Sequence, residues 1–391
     1  MKMQRKIIIF IIIVLLVLIT LFASLVWLFF YDIHGLMLYN NEAIREVCFN
    51  EDCFFFITDD GYGYVAGNYS ESSSRKYRNL SRQVDSELEI PSPVRFFDDK
   101  VLSIMPNESG CSAFFITSKY ELYKLTDFAV TKIADNVKYV EQVAWTDSMQ
   151  SLFLIDASKA LIYMDNGEFS HIASDIKQVQ VCGARAYALR DSGDLVELAK
   201  DDVGGWIIGE DILMSNVVCF DIYQTSKRYI DGKITETESS LDTPLINALT
   251  SDGVLYARGA YNILECGINL NWDTYPQPHI LEDWTMIGAE VSDYSCAEMG
   301  TVILFKDGRC AYYGYNTDYD SNTIPEFEYV ELSVGDAVNV YCEQMFVCLI
   351  DYQGVAYIWG KNHGNVFTHY DGEGYDIFKD KPLTVQLNYV N

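Results

Sequence analysis

Proline is scarce in this chain, 8 residues in 391, and no Ser/Thr/Pro stalk or glycine-rich linker interrupts it. Aromatic residues are plentiful instead, with 28 Tyr, 21 Phe and 6 Trp, a composition that excludes intrinsic disorder. The motifs of common catalysts are missing too. There is no HExxH, no GxSxG, no Walker loop and no dinucleotide fingerprint. None of the 10 cysteines forms a CxxC or another metal spacing, and the 5 histidines show no helical ligand spacing. Asp318-Tyr319-Asp320-Ser321-Asn322 opens like a calcium loop. Its sixth place is Thr323 rather than Gly and its twelfth is Tyr329 rather than Glu, which favours a solvated loop. In a chain with 56 acids, a carboxylate pair such as Asp59-Asp60 is no evidence of glycosidase chemistry, and the turn it occupies already explains it. The sequence therefore predicts no metal and no cofactor.

Charge is absent from Ile7 to Phe30, as are Pro and Gly. The run is longer than the ~20 residues a membrane span needs and than the ~7–15 of a signal peptide. Ala23-Ser24, the nearest small pair, lies inside it rather than after it. Lys2, Arg5 and Lys6 precede the run, while Asp32 and Glu42 come before the next cation, Arg45. Positive flanks stay cytoplasmic. The organisation predicted is a cytoplasmic tail (1–6), a single transmembrane helix (7–30), a linker (31–43) and an extracytoplasmic domain (44–391). The bilayer is then a partner through residues 7–30.

Basic residues are few beyond that helix. All but three of the 28 Lys and Arg follow it, against all 56 Asp and Glu. Such a surface repels phosphate backbones, so nucleic acid is excluded as a partner; the charge suits a soluble exported domain. Several cysteines, such as Cys182 and Cys219, sit in apolar runs and read as buried thiols, although the compartment permits disulfides.

A unit recurs along residues 44–391: an apolar run, a turn ending in Gly, a short strand with an aromatic, then a second Gly. Phe54–Gly61 continues to Tyr64 and Gly67, and Ala248–Gly253 to Tyr256 and Gly259. Val302–Gly308 continues to Tyr312 and Gly314, and Val347–Gly354 to Tyr357 and Gly360. Three looser copies are Phe114–Lys119, Leu152–Asp156 and Tyr187–Gly193. The turns fall near 61, 119, 158, 193, 253, 308 and 354. Asp-Gly permits the positive φ of a tight hairpin, and its apolar flanks form strands. An upstream apolar segment adds a further strand to most units: Ile44–Cys48, Val101–Ile104, Val137–Val143, Ile176–Val181, Val217–Phe220, Trp284–Ile287 and Ala337–Val340. Small sheets of this size cannot bury both faces alone, and radial stacking solves that. The fold class predicted is all-β, a seven-bladed β-propeller preceded by one transmembrane α-helix. Closing the ring should place Ile44–Cys48 in the same sheet as, or beside, Leu383–Val390, because an open ring exposes strand edges.

The runs Ser251–Asn262 (SDGVLYARGAYN) and Tyr352–Asn362 (YQGVAYIWGKN) resemble the repeat of the regulator-of-chromosome-condensation family, whose members form seven-bladed propellers. That repeat reads roughly apolar-Thr-x-Asp-Gly-x-Val-Tyr-x-Trp-Gly-x-Asn. The family's glycine before the hairpin survives clearly only at Gly183, its following His is Ala186 here, and its Gly-Gln-Leu-Gly tail is reduced to His363-Gly364-Asn365. The resemblance implies the fold. The family's nuclear members act on a small GTPase and on chromatin, a function that an acidic exported domain does not share. Exported propellers of similar repeat type bind proteins, which is the nearer analogy.

Three insertions break the repeat: Tyr69–Pro93, Gln224–Thr243 and His363–Pro382. The second carries Lys227 to Lys233 and reads as a charged, mobile loop. The third interleaves Phe367, His369, Tyr370 and Tyr375 with Asp371, Glu373 and Asp376. Tyr-rich loops on a rigid scaffold give contact area at low entropic cost, so these four residues are the candidate partner-binding site. The leading function is a non-enzymatic tethered module for a protein or cell-envelope partner. The alternatives are a glycan-acting enzyme, which would bring three or more acids and an Arg together in the channel, and a structural subunit of an envelope complex.

Overall fold

The computed structural model describes residues 43–49, 53–67, 94–107, 112–126, 129–145, 150–202, 204–223, 227–230, 233–236, 244–261, 279–297, 300–314, 328–332, 336–343, 346–360 and 383–385. The apolar segment 7–30, the linker 31–42 and the insertions 69–93 and 363–382 lie outside the described residues.

The described chain is all-β and forms seven four-stranded antiparallel sheets in sequence order. Blade 1 is Ile44–Phe49, Cys53–Thr58, Gly63–Gly67 and Val94–Arg95. Blade 2 is Val101–Pro106, Ser112–Thr117, Leu122–Thr126 and Ala129–Ala134; blade 3 is Val137–Trp145, Gln150–Asp156, Leu161–Asp165 and Glu168–Ala173. Blade 4 is Ile176–Cys182, Arg185–Arg190, Leu195–Lys200 and Trp206–Met214; blade 5 is Val217–Tyr223, Leu245–Thr250, Leu255–Tyr261 and His279–Gly288. Blade 6 is Val291–Ala297, Gly300–Phe305, Cys310–Gly314 and Glu328–Leu332; blade 7 is Ala337–Glu343, Phe346–Asp351, Ala356–Gly360 and Leu383–Val385. The first strand of blade 7 touches that of blade 1, so the blades close into a ring.

The second strands are predominantly apolar because both their faces are covered: every residue of Cys53–Thr58 and of Leu245–Thr250 is buried. The cores lie between blades. Phe55, Ile57 and Val65 of blade 1 pack on Val101, Ile104 and Phe115 of blade 2. Phe153 and Ile155 of blade 3 pack on Ile176, Val179 and Ala188 of blade 4. At ~25 cal/mol per Å² of apolar surface, these contacts supply the main stabilisation, and no blade has them alone.

All seven expected hairpins join second to third strands, and they share one hydrogen-bond pattern. The residue closing each turn has positive φ: Gly61, Tyr120, Lys159, Gly193, Gly253, Gly308 and Gly354. In blades 2 and 3 the place of the glycine thus falls on Tyr120 and Lys159, one residue beyond the positions read from sequence. A left-handed conformation costs a side-chain-bearing residue about 1–2 kcal/mol, so these two turns are held by their surroundings. Lys159 also forms an exposed ion pair with Asp191 on the next blade's turn, 2.5 Å.

These turns also join blades. The carbonyl of the positive-φ residue accepts from the first N–H of the next blade: Val101 to Gly61, Val137 to Tyr120, Ile176 to Lys159, Val217 to Gly193 and Val291 to Gly253. The ring closes by the same bond, Ile44 N–H to Gly354 O at 2.9 Å. The chain ends do not share a sheet, one of the two arrangements expected for them, and residues 386–390 of that expectation lie outside the described residues. Ile44–Phe49 is the first strand of blade 1 and Leu383–Val385 the fourth of blade 7.

Two further expectations change. Trp284–Ile287 is not the first strand of blade 6 but part of the fourth strand of blade 5; Glu290, at φ 57, turns the chain before Val291. The charged segment is not a plain loop: Lys227–Ile230 pairs antiparallel with Lys233–Glu236, a small hairpin between the first and second strands of blade 5. Asp231-Gly232 between the two strands is the sequence signal for it. Cys53 is disulfide-bonded, whereas Cys182, Cys219, Cys296, Cys310 and Cys348 carry thiols.

Gly354 is the position on which closure bears most directly. A Cβ there would lie 2.3 Å from the Cβ of Ala43, on a backbone already at φ +76. Gly354→Ala should lower unfolding stability by about 2 kcal/mol or more and melt all blades in one earlier transition, read by thermal circular dichroism. A separate early transition confined to one blade would contradict the ring as the cooperative unit.

Candidate functional site

The first strands surround the axis of the ring, and a shared irregularity shapes them. In every blade the pairing of first with second strand slips at the second residue: Arg45, Leu102, Lys138, Lys177, Val218, Ser292 and Val338. One extra residue at a bulge turns a period of two into a spacing of three. The buried pairs are accordingly Ile44/Val47, Val101/Ile104, Val137/Val140, Ile176/Val179, Val217/Phe220, Val291/Tyr294 and Ala337/Val340. The bulged residue itself is left at the rim.

Each first strand pairs on one side only, so its other edge presents backbone N–H and C=O groups toward the axis. A buried, unpaired N–H costs roughly 1–3 kcal/mol. Polar side chains at the third and fifth places of one blade meet this need on the next. Gln178 Oε1 accepts from Phe220 N–H (3.3 Å), and Gln180 Oε1 from Ile222 N–H (2.8 Å). Glu141 Oε1 accepts from Val181 N–H at 3.1 Å, and Ser295 Oγ from Cys342 N–H at 2.9 Å. Glu46 and Asp221 accept in the same way from the backbones of Ile104 and Cys296. At the closing seam Asn339 Nδ2 donates to Arg45 O, 2.9 Å.

Burial raises the carboxyl pKa values in this ring, since a charge is disfavoured away from water. Glu141 is pushed up to about 8, chiefly by desolvation; the Val181 N–H opposes the rise and the Asp221 charge adds to it. Glu46 is raised to about 7 by desolvation, which the neighbouring Arg45 partly offsets. Asp221 and Asp293 rise to about 6 for the same leading reason. Tyr139 and Tyr341 stand among them, both held above the ordinary phenol range by burial.

Four acids and an Arg thus occupy the inner strands, as a glycan-acting enzyme would need. Their bonds, however, go to the protein's own backbone and side chains. Asp293 Oδ1 accepts from Tyr294 N–H at 2.9 Å, and the guanidinium of Arg45 donates to the carbonyls of Val101 and Leu102. What the arrangement does chemically is to seal seams. The partner-site residues Phe367, His369, Tyr370 and Tyr375 lie outside the described residues; the chain that holds them joins the third and fourth strands of blade 7, between Gly360 and Leu383. None of the inner-ring residues was singled out from sequence. The signal was a polar residue at the third or fifth place of a segment otherwise read as apolar, as in Ile-Lys-Gln-Val-Gln-Val from Ile176.

Gln180 occupies the centre of this network: besides accepting from Ile222, its amide donates to Asp221 Oδ1 at 3.1 Å. Gln180→Met keeps the volume and removes both bonds. It should cost about 1–3 kcal/mol in urea unfolding and raise the Asp221 pKa further, followed by carboxyl NMR titration. An unchanged stability would mean that the seam does not depend on this bond.

No family model matches this chain, and no curated protein matches it. Solved structures do. Prp20p from Saccharomyces cerevisiae, described with its binding to Gsp1p and histones, is 11% identical over 89% of this chain and 87% of that one, at a TM-score of 0.56. The yeast RCC1 (Prp20) bound to Kap60 is 11% identical, covering 85% of this chain and 74% of that chain, TM-score 0.45. Human WBSCR16 is 12% identical, covering 88% and 83%, TM-score 0.42. At these identities what is shared is the fold, a seven-bladed propeller of the type its repeat resembles.

Proposed function

We propose that this chain is a membrane-tethered, extracytoplasmic propeller that binds a protein or cell-envelope partner and catalyses no reaction. The observation that carries this reading is the use of the inner-ring carboxyls: Glu46, Glu141 and Asp221 are spent on holding the neighbouring blade's backbone, a scaffold's task. Prp20p, with the same fold, is described as binding Gsp1p and histones, so the scaffold supports protein recognition. The tether rests on the uncharged run Ile7–Phe30 with Lys2, Arg5 and Lys6 before it. The disulfide at Cys53 supports an oxidising compartment.

The partner surface we assign is the aromatic stretch with Phe367, His369, Tyr370 and Tyr375. Aromatic anchors ringed by Asp371, Glu373 and Asp376 suit a basic or polyhydroxylated partner. The acidic balance of the chain argues against nucleic acid.

The test uses the full chain with a C-terminal tag in intact cells. External protease should remove the tag while the N-terminal tail stays protected, and alkaline extraction should leave the chain in the membrane. Proximity cross-linking followed by mass spectrometry should give partners that are lost in the Tyr370→Ala/Tyr375→Ala variant, with the thermal midpoint unchanged. A protected tag would overturn the topology. An unaltered partner set in the variant would overturn the assignment of the surface.

A further inference from the structure

Among the described residues, eight large apolar side chains are exposed, and they fall into two groups. Phe169, Ile207, Ile212 and Met286 stand on fourth strands, at the outer edges of blades 3, 4 and 5. Leu102 and Tyr120 of blade 2 and Val338 and Tyr352 of blade 7 all lie at one end of the ring. Leu102 and Val338 are bulged residues of first strands, next to the hairpin turns. Tyr120 and Tyr352 belong to the second-to-third turns themselves. Tyr352, at 66%, is the most exposed of the eight.

Blade 1 stands between those two blades, and the chain enters it at the same end. Ile44 pairs with Thr58, just before the turn, and the carbonyl of Ala43 accepts from Asp59 N–H in that turn, 2.9 Å. The apolar group therefore flanks the point where the chain arrives from residues 7–30. Only the twelve residues Tyr31–Glu42 intervene, and at ~3.3–3.6 Å per residue they reach about 40 Å at most. The strands deliver the chain into the insertions 69–93, 224–243 and 363–382 at the opposite end, after Gly67, Tyr223 and Gly360.

We propose that the turn end of blades 7, 1 and 2 rests on a phospholipid headgroup layer through Leu102, Tyr120, Val338 and Tyr352, an inference that rests on the reading of residues 7–30 as a membrane span. Tyrosine suits such a layer, since its ring has an apolar body and a polar tip. Lys138 stands beside one of these rings, its Nζ 5.5 Å from the centroid of Tyr120. A lysine there lays its stem along apolar surface and keeps its charge among the headgroups.

Charge does not drive this contact. Arg45, Lys100 and Lys119 share the sector with Asp59, Asp60, Asp98, Asp99 and Asp336, and Lys119 pairs with Asp99 at 2.6 Å. A headgroup layer without net charge, as phosphatidylcholine gives, is the one that fits. The tether raises the local concentration of lipid, so a weak contact through four side chains suffices. The group on the fourth strands lacks this support, because the chain does not enter the ring there. The strand end that leads toward Phe367–Tyr375 then points away from the lipid.

The experiment reconstitutes the full chain into phosphatidylcholine vesicles that carry one of two diazirine lipids, with the probe in the headgroup or in an acyl chain. Photolysis and peptide mass spectrometry then locate the lipid adducts. The acyl probe should label residues 7–30, and the headgroup probe Leu102 and the turns at Tyr120 and Tyr352. Labelled 7–30 with those positions unlabelled would overturn the docking surface alone. Unlabelled 7–30 would overturn the span on which it rests. Headgroup label on Phe169 and Met286 in place of the turns would also overturn the surface. The variant Tyr120→Asn/Val338→Ser/Tyr352→Ser exchanges exposed groups only, and Asn accepts the positive φ at 120. It should lose most headgroup label at the unsubstituted Leu102 and Gln353, while the label on 7–30 and the thermal midpoint stay as in the parent. Undiminished label at Leu102 and Gln353 would sink the assignment. Should the triple variant fail to fold, Val338→Ser alone has to lower the label at Gln353.

Discussion

A strand at the centre of a ring has one edge that no other strand can reach. Each first strand pairs with the second strand of its own blade and turns its remaining backbone groups toward the axis, where blades converge but do not form a common sheet. Two devices meet this constraint. At one end of six of these strands, the hairpin turn of the previous blade offers a carbonyl to the first N–H, as Gly354 does for Ile44. Farther along, a side chain of the previous blade reaches the edge itself, as Gln180 does for Ile222. Much else in the sequence follows from these two needs: positive φ in every second-to-third hairpin, the bulge at the second residue, and polar residues at the third and fifth places.

The same constraint explains why closure needs no strand borrowed from the other end of the chain. When the seam bond between blades 7 and 1 copies the bonds at the other seams, the termini need only sit in consecutive blades. Gly354 against Ala43 is then one seam among seven, and a Cβ there, as at Gly253, would meet the next blade's backbone. It also accounts for Tyr120 and Lys159, which keep the turn conformation without glycine because their carbonyls still hold Val137 and Ile176. At these two turns the seam bond dictates the backbone, whatever the side chain.

Polarity at the axis is therefore structural before it is chemical. The acids that a reader seeking a catalytic centre would first notice, Glu46, Glu141 and Asp221, are committed to neighbouring backbones, and their raised pKa values come mainly from burial. The connections between these strands leave the rigid sheets at defined points. The small hairpin Lys227–Glu236 on blade 5 is one such connection, ordered by an Asp-Gly signal.

The number of blades and the place of every second-to-third hairpin were legible in the sequence, because an apolar run ended by a positive-φ turn is a local signal that survives even where the glycine is lost. First strands were legible in six blades of seven. The exception, blade 6, shows the limit: Trp284–Ile287 is as apolar as a first strand, and only the turn at Glu290 assigns it to blade 5. The inner ring was not legible. Glu141 and Val181 stand 40 residues apart, and nothing local marks the glutamate as the acceptor for that N–H. Which acids come to face a neighbouring blade's backbone depends on how seven separate strands converge on one axis. That convergence exists only in the tertiary structure.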